Sequence, residues 1–597
     1  MSDYTAPLAD MRFALEEIAG IGEIARLPGC EQASPDLVEA ILEEAGKLAS
    51  GVLAPLNRIG DKEGSRLENG VVRTPEGFKE AYRQYVEGGW NALPFEPEHG
   101  GQGLPMVLAT AVLEMWNAAN MGFALCPLLN VGAVEALTAH GTEEQKRIYL
   151  PKLISGEWTG TMNLTEPQAG SDVGALRTRA AREGSHYRIT GQKIFITYGE
   201  HDMAANIVHL VLARLPDAPQ GTRGISLFLV PKFLVNADGS LGARNDVRCV
   251  SLEHKLGIHA SPTCVMSFGD DGGAVGYLVG EEGRGLSYMF TMMNNARLSV
   301  GIQGLAIAER AYQQAATFAK TRVQSKDDGS ADPQPVAIIH HADVRRMLMT
   351  MRAQIEAMRA LGYYTAAGID GALKHADHET ARRTQDRVDL LIPIVKAWFT
   401  DLGNEIASIG VQVHGGMGFI EETGAAQHLR DARILPIYEG TNGIQARDLV
   451  GRKVAKDGGE TMLALVAEMR ALAEEMKAAP GDDLAAIRGG LVAAADALED
   501  ATRWVAQSVK AELVAALAGS VPFLRLAGTA LGGWLLAKSA LAAQHKLAAR
   551  DGDPAFLEAK LVTARFYAEV ILPPALAQVG PIKAAGHTVF ALEEAQL

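Results

Sequence analysis

Residues 186–230 read HYRITGQKIFITYGEHDMAANIVHLVLARLPDAPQGTRGISLFLV. Four runs in this stretch, 187–189, 194–197, 207–212 and 225–230, are short, rich in Ile, Val, Leu, Phe and Tyr, and bounded by Gly, Asp, Asn or Pro. That pattern predicts strands. Residues 159–280 are therefore expected to form a β-domain, and the segments on both sides are written in a different period. From Ser34 or Asp36 as a cap, Leu37, Ile41, Leu42 and Ala45 recur at helical spacing. Helical patterns continue through 77–88 and 104–140, separated by the Gly/Pro-rich turn PFEPEHGGQGLP at 94–105. Pro151 is expected to open a short helical turn that Gly156-Glu157-Trp158 ends. Beyond 281, long apolar periodicities fill 300–322, 341–368 and 383–412, with a charged, Pro-bearing loop expected at 325–335. A polar linker at 456–459 precedes an Ala-, Leu- and Glu-rich helical stretch. The expected organisation is an N-terminal extension at 1–35 with a helical patch over 11–24, a helical domain at 36–158, the β-domain at 159–280, a helical bundle at 281–455 and a further helical domain at 460–597. The fold class is mainly α with a central β-domain.

Composition narrows the function. The 597 residues are 48% apolar and 21% charged, as in a globular chain with a large core. A net charge of −15 disfavours nucleic acid or an anionic membrane as a partner. Cys30, Cys126, Cys249 and Cys264 are far apart, without metal-ligand spacing, and are expected to be buried reduced thiols; no metal is expected. Residues 115–134 are uncharged, but Asn117, Asn120, Pro127 and Asn130 favour a buried helix over a spanning one. The first residues lack a basic and apolar leader, so a cytoplasmic setting is expected.

Five stretches carry candidate chemistry. Ile437-Tyr438-Glu439-Gly440-Thr441-Asn442-Gly443-Ile444-Gln445 sets one carboxylate between an aromatic residue and a glycine, ahead of a helical run. If desolvated, Glu439 would have a raised pKa and suit general-base work; it could equally be a solvated loop acid. Leu164-Thr165-Glu166-Pro167-Gln168-Ala169-Gly170-Ser171-Asp172 offers hydroxyls and small residues for a phosphate or a polar ring edge, or is a decorated turn. In Gly191-Gln192-Lys193-Ile194-Phe195-Ile196-Thr197, a hairpin-like turn at Thr190-Gly191 leads into an alternating strand. There Phe195 is either core or the flank of a planar cofactor, and Thr197 a donor to it. Asn294-Asn295-Ala296-Arg297 opens a helix running through Gly301 and Gly304; Arg297 could hold a phosphate or sit on the helix surface. In Gln412-Val413-His414-Gly415-Gly416-Met417-Gly418-Phe419, clustered glycines suit a pyrophosphate or a helix C-cap. His414 is more readily a packed residue than a catalytic one.

Taken in this order over residues 36–453, these stretches resemble the acyl-CoA dehydrogenase family. The N-terminal extension and the last ~140 residues resemble its longer subgroup with a C-terminal helical extension. The stretches LISGEWTGTMNLTEPQAGSDVGAL, SLEHKLGIHASPT, MFTMMNNARL and VQVHGGMGFIEETGAAQHLRDAR are similar to members acting on 3-(methylthio)propanoyl-CoA.

The resemblance implies a helical domain, a β-barrel-like domain and a four-helix-bundle domain, with FAD between the last two. It implies that Glu439 removes the α-proton of an acyl-CoA thioester while the β-hydride passes to flavin N5, with donors on the thioester carbonyl stabilising enolate-like charge. Some family members carry the base one residue before the arginine; here that residue is Ala296, which leaves Glu439. Met162, Leu164, Thr165, Gly170, Ser171, Phe195, Thr197 and Thr441 match flavin or FAD contacts, and Arg322, Gln324, Gln412, Gly415 and Gly416 match contacts to the FAD of a neighbouring subunit. Ser171, Asn294, Arg297, Tyr438 and Gly440 match substrate contacts. A homodimer is implied, as is an electron-transferring flavoprotein as acceptor. An acyl-CoA oxidase, a general short- or medium-chain dehydrogenase and a flavin-bearing nucleic-acid-binding relative are the alternatives. Met162 stands where Tyr is frequent, Phe195 where Trp is frequent, and Gly443 where a Gln commonly touches FAD.

Overall fold

A computed structural model describes residues 4–329 and 331–597. They fall into two compact units. The first comprises 4–43, 105–114 and 297–597; the second comprises 44–104 and 115–296.

The second unit is built on a closed ring of strands. His186–Thr197 pairs with Ala274–Val279, which pairs with Ile225–Pro231, then Asn206–Arg214, all antiparallel. Arg179–Glu183 pairs with both His186–Thr197 and Asn206–Arg214 and closes the ring. Trp158–Asn163 adds in parallel to Asn206–Arg214, while Val247–Leu252 and Thr263–Phe268 extend from the other half of His186–Thr197. Asn206–Arg214 is covered on both faces, which explains its continuous apolar reading. Val208, Leu210 and Leu212 pack with Tyr149, Leu150 and Leu153 of the Glu143–Ser155 helix. Val211 and Ala213 point the other way, among Ile189, Phe228 and Met266.

Two local expectations change here. Thr190-Gly191 is not a turn: His186–Thr197 runs straight through it, with Gly191 at φ +152° marking where the strand leaves one set of partners for the other. Thr178 lies so close to Gly191 that a Cβ would come within 2.5 Å of its hydroxyl. Pro151 does not open a helix but lies inside Glu143–Ser155, which Thr142 caps by accepting from the Gln145 amide at 3.2 Å. The preceding helix, Met106–His140, is broken at Asn120, where φ is −158° and ψ 88°.

The first unit is helical. Ala342–Lys374 and His378–His414 pack on each other, and the 297–321 part of Gly285–Thr321 packs against the latter. Glycine permits that approach: a Cβ at Gly304 would meet the Phe399 carbonyl at 2.4 Å. Arg359 ties the bundle together, donating to Glu114 at 2.6 Å and Glu309 at 2.8 Å, all three buried. The helices of 460–597 dock on the bundle through Ser520–Ala549, whose Gly528 and Gly532 lie on the indole of Trp398. The helical patch expected at 11–24 begins earlier, at Leu8, and turns into a wide π-helix at Ala14–Ala19. Lys560 holds it by donating to Asp10 and to Glu356. The expected loop at 325–335 is framed by a short strand pair, Val323–Lys326 with Pro335–Ala337.

Met106–His140 and Ser520–Ala549 are long and apolar enough to cross a membrane, yet 83% and 89% of their apolar windows are buried within the protein. All four cysteines are buried free thiols.

Candidate active site

In the first unit, Glu439 sits on the tight connection that leads into the helix Asn442–Asp448. Glu439 and Gly440 both adopt left-handed backbone, φ +53° and +83°. For a residue with a Cβ this costs roughly 1–2 kcal/mol, so the surroundings must enforce it. Gln445, fully buried, donates to the carbonyls of Glu439 and Gly440 at 3.3 and 3.4 Å. Thr441 caps the helix, accepting from the Ile444 amide at 3.3 Å. Tyr438 donates its hydroxyl to Gln303. Burial pushes the Glu439 carboxyl above its ordinary range, with Lys396 and Arg297 pulling it back. A carboxylate in such surroundings is ionised when cations face it and still basic enough to accept a proton from carbon.

Arg297 is not a helix-surface residue. It lies three turns into Gly285–Thr321, which begins well before Asn294, and its guanidinium is 3.5 Å from Asp448 with both side chains largely buried. Burial lowers its pKa, opposed by Asp448 and Glu439. Asp448 also takes Arg452 at 3.3 Å.

In the second unit, the strand Trp158–Asn163 leads into the 164–172 turn, closed by reciprocal bonds between Glu166 and Ala169 at 3.0 and 3.1 Å. Lys193 fixes this turn from below. Its ammonium, with no exposure at all, donates to the Leu164 carbonyl at 3.0 Å and to Glu166 at 2.8 Å. The same carboxylate accepts from the Arg177 and Thr178 amides at 2.7 and 3.0 Å. Burial pushes Glu166 up, but Lys193 and these donors outweigh it and hold the carboxyl at about 2. Burial pushes Lys193 down to about 8, so the pair is ionised at neutral pH. The Ile194 amide donates to the Thr165 carbonyl at 2.9 Å, joining turn and strand.

Phe195 is not core. Between Lys193 and Ile196 the strand carries one residue more than its partner, because Met266 pairs with Lys193 and Cys264 with Ile196. This bulge places Phe195 at φ +60° and turns its ring outward, 58% exposed. A bulge residue in this conformation is ordinarily glycine. An aromatic ring held there against steric cost presents a flat apolar plate. Thr197, two residues on, and Met162, Leu164 and Thr165 at the 164–172 turn and the strand before it are half-buried, and Gly170 and Ser171 are exposed. The unit thus offers an aromatic face, two hydroxyls and a rigid turn, a donor set that fits a flavin. Asn294 is half-buried in the same unit.

The remaining candidates lie on the surface of the first unit. Arg322, Gln324, Gln412, Gly415 and Gly416 are exposed, and Gly415 caps His378–His414 with φ +59°. His414 is structural: its Nδ1 lies 2.7 Å from the Gly410 carbonyl and its ring packs on Phe318. Sequence reasoning passed over Lys193, Glu166, Gln445 and Lys396. A signal existed for Lys396, a lone cation in the apolar run Ile392-Pro393-Ile394-Val395-Lys396-Ala397-Trp398-Phe399.

Family models match almost the whole chain. They are acyl-CoA dehydrogenase, N-terminal domain, over 38–157; middle domain over 161–270; C-terminal domain over 283–455; and acetyl-CoA dehydrogenase C-terminal like over 465–593. The chain is 50% identical over 589 residues to a 3-methylmercaptopropionyl-CoA dehydrogenase of Ruegeria pomeroyi, covering 98% of this chain and 99% of the relative. It is 36% identical to a butyryl-CoA dehydrogenase of Syntrophomonas wolfei, with 99% of each covered. An acyl-CoA dehydrogenase of Bacillus anthracis solved in complex with FAD shares the fold, with a TM-score of 0.73 at 22% identity over 96% of this chain and 91% of that one. The bulged strand, the clamped turn and the left-handed glutamate therefore occur in a chain that belongs to the acyl-CoA dehydrogenase family.

Proposed function

We propose that the chain is an FAD-dependent dehydrogenase that oxidises the Cα–Cβ bond of a short acyl-CoA, with 3-(methylthio)propanoyl-CoA as substrate and 3-(methylthio)acryloyl-CoA as product. The observation that carries this is Glu439: a half-buried carboxylate on left-handed backbone, with two cationic side chains near it. Glu439 accepts the α-proton. Bound FAD supplies the acceptor for the β-hydride. Phe195, Thr165 and Thr197 hold the flavin ring, with Met162, Leu164, Gly170, Ser171 and Thr441 around the cofactor. Arg297, Asn294, Ser171, Tyr438 and Gly440 contact the acyl-CoA. The Ruegeria relative supports the thioether substrate, and the Syntrophomonas relative supports turnover of butanoyl-CoA beside it. Sulfur and methylene are close in size, which favours overlap between the two.

The surface positions Arg322, Gln324, Gln412, Gly415 and Gly416 are assigned to FAD of the second protomer of a homodimer. The electrons leave to an electron-transferring flavoprotein, and the enzyme works in the cytoplasm. The four matched family segments support the domain order proposed, with joints near 36, 159, 281 and 460.

Anaerobic bleaching of the flavin by methylthiopropanoyl-, butanoyl-, hexanoyl- and octanoyl-CoA tests the reading. The first is expected to give the highest kcat/KM, and Glu439→Gln to abolish bleaching while retaining FAD. Equal kcat/KM across the panel would replace the thioether substrate with short acyl-CoAs in general, and bleaching by Glu439→Gln would remove the base assignment.

A further inference from the structure

Lys396 is the least expected charge in the first unit. It lies in an apolar helical run, between Val395 and Ala397, with no exposure. Its ammonium donates to two neutral oxygens, the Leu435 carbonyl at 3.0 Å and Asn442 Oδ1 at 2.9 Å. Enclosing an ammonium among neutral acceptors is unfavourable relative to an apolar side chain of similar length. A methionine would fill the same helix face.

The two acceptors lie on opposite flanks of Glu439. Leu435 precedes the connection and Asn442 is the first residue of the helix after it. One buried group thus closes the 435–442 segment into a loop. Asn442 is itself fixed, donating to the Ala397 carbonyl at 3.1 Å and to Asp401 at 2.7 Å, so its oxygen is turned to the ammonium. Inside this loop Glu439 holds its strained conformation. The charged groups around Lys396 are Glu439 on the loop, Asp401 on its own helix and Arg297 on Gly285–Thr321; Arg525 and Arg433 lie beside Asp401. Desolvation lowers the Lys396 pKa to about 7, opposed by Glu439 and Asp401.

We propose that Lys396 is the positioning residue for Glu439: its ammonium clamps both flanks of the loop that presents this carboxylate and keeps the carboxylate ionised by its charge. This rests on the reading of Glu439 as the base. The lysine exchanges no atom with the substrate. It acts through loop geometry and through the field at the carboxylate, and these two effects separate experimentally.

Holoenzymes carrying Lys396→Met and Lys396→Arg are compared with wild type in anaerobic flavin reduction by butanoyl-CoA from pH 5.5 to 9.5. Lys396→Met is expected to keep its FAD and a KM within about threefold of wild type. It is expected to lose about tenfold or more in reduction rate at pH 7 and to shift the acid limb upward by about one pH unit, the size of one lost nearby charge. Lys396→Arg restores the limb. Carboxyl difference infrared spectra without substrate, with Glu439→Gln as the blank, report the same upward shift independently of turnover. A uniformly slower Lys396→Met with an unmoved limb and unmoved infrared titration overturns the proposal and leaves the lysine a packing residue. If that variant does not fold, Asn442→Ala retains the ammonium and removes one anchor: a rate plateau about tenfold lower with the limb in place supports the clamp, and a wild-type plateau overturns it. Failure of the base assignment is distinguishable, because Glu439→Gln would then still bleach.

Discussion

Lys193 and Glu166 meet at 2.8 Å with their side chains 0% and 3% exposed, directly beneath the turn that carries Thr165. The pair sits between two backbone segments, the 164–172 turn and the bulged strand, and sets their spacing. Removing one partner leaves an uncompensated buried charge. Lys193→Met is therefore expected to cost about 3–5 kcal/mol in urea unfolding, and Glu166→Gln less, because an amide keeps an acceptor for the Thr178 amide. Both are expected to purify with less FAD.

The same pair sets an acid limit. The Glu166 carboxyl is held at about 2 in the folded chain, below its ordinary value near 4.5. A depressed carboxylate contributes stability that is complete above the unfolded value and is lost as pH falls through the folded one. The wild-type chain is expected to lose this contribution between about pH 4.5 and 2. Glu166→Gln should show a flatter stability profile there, measured by chemical unfolding at each pH.

Glu439 behaves in the opposite sense. Its pKa is raised by burial, so its ionised form is lost at a higher pH than for an exposed glutamate. The rate of flavin reduction is expected to fall on the acid side at a pH above the ordinary glutamate value of 4.5. Glu439→Gln should lower the rate by at least the ~10²–10⁴-fold attributed to a positioned base. Stopped-flow reduction across pH checks both.

Phe195 sets stability against cofactor binding. At φ +60° a glycine relieves about 1 kcal/mol of backbone strain. The ring is mostly exposed, so little burial is lost with it. Phe195→Gly is expected to unfold at the same temperature as wild type or higher as apoprotein, while its Kd for FAD rises. A destabilised apoprotein with unchanged FAD affinity would make the ring structural.

Arg297→Ala tests the substrate side. Asp448 keeps Arg452 at 3.3 Å, so the loss of its buried partner is cushioned. Loss of one charge-assisted contact of ~1.5–3 kcal/mol corresponds to a KM for the CoA ester raised roughly ten- to a hundredfold. The same KM as wild type would assign Arg297 to the Asp448 pair alone.

The last helical stretch is not an appendage. Gly528 approaches Trp398 so closely that a Cβ would lie 2.5 Å from the ring, and Lys560 reaches Glu356 at 3.0 Å. Ending the chain near 460 would uncover that indole and strand Glu356 without its lysine. The truncated protein is expected to aggregate, and Gly528→Val to lose about 1–3 kcal/mol through overpacking. A soluble, FAD-bound truncated enzyme would count against this.

Much of this was legible in the residues. The change from period 3.6 to period 2 and back set the fold class. The order of the motifs pointed to the family, and that resemblance, with Ala296 at the other base position, singled out Glu439 as the candidate base. Periodicity is a one-dimensional property, and it survives folding wherever a face is buried. The failures share one cause. Phe195 stays open between core and cofactor flank in the sequence because alternation assumes an unbroken ladder, and only pairing with 263–268 introduces the extra residue that turns it out. Gly191 reads as a turn because nothing local says that a second strand continues past it. Arg297 stays open between a phosphate contact and a surface residue until Asp448, 151 residues later, arrives beside it. Lys396 is visible as a misplaced charge, but its purpose is not, since its acceptors are a backbone and a side-chain oxygen from another segment. The sequence by itself determined the order of helical and strand-forming segments and, through the family resemblance, which carboxylate is the candidate base. Tertiary structure decided which charges are desolvated together, because a pKa and a strained φ depend on neighbours that only folding brings within a few ångströms.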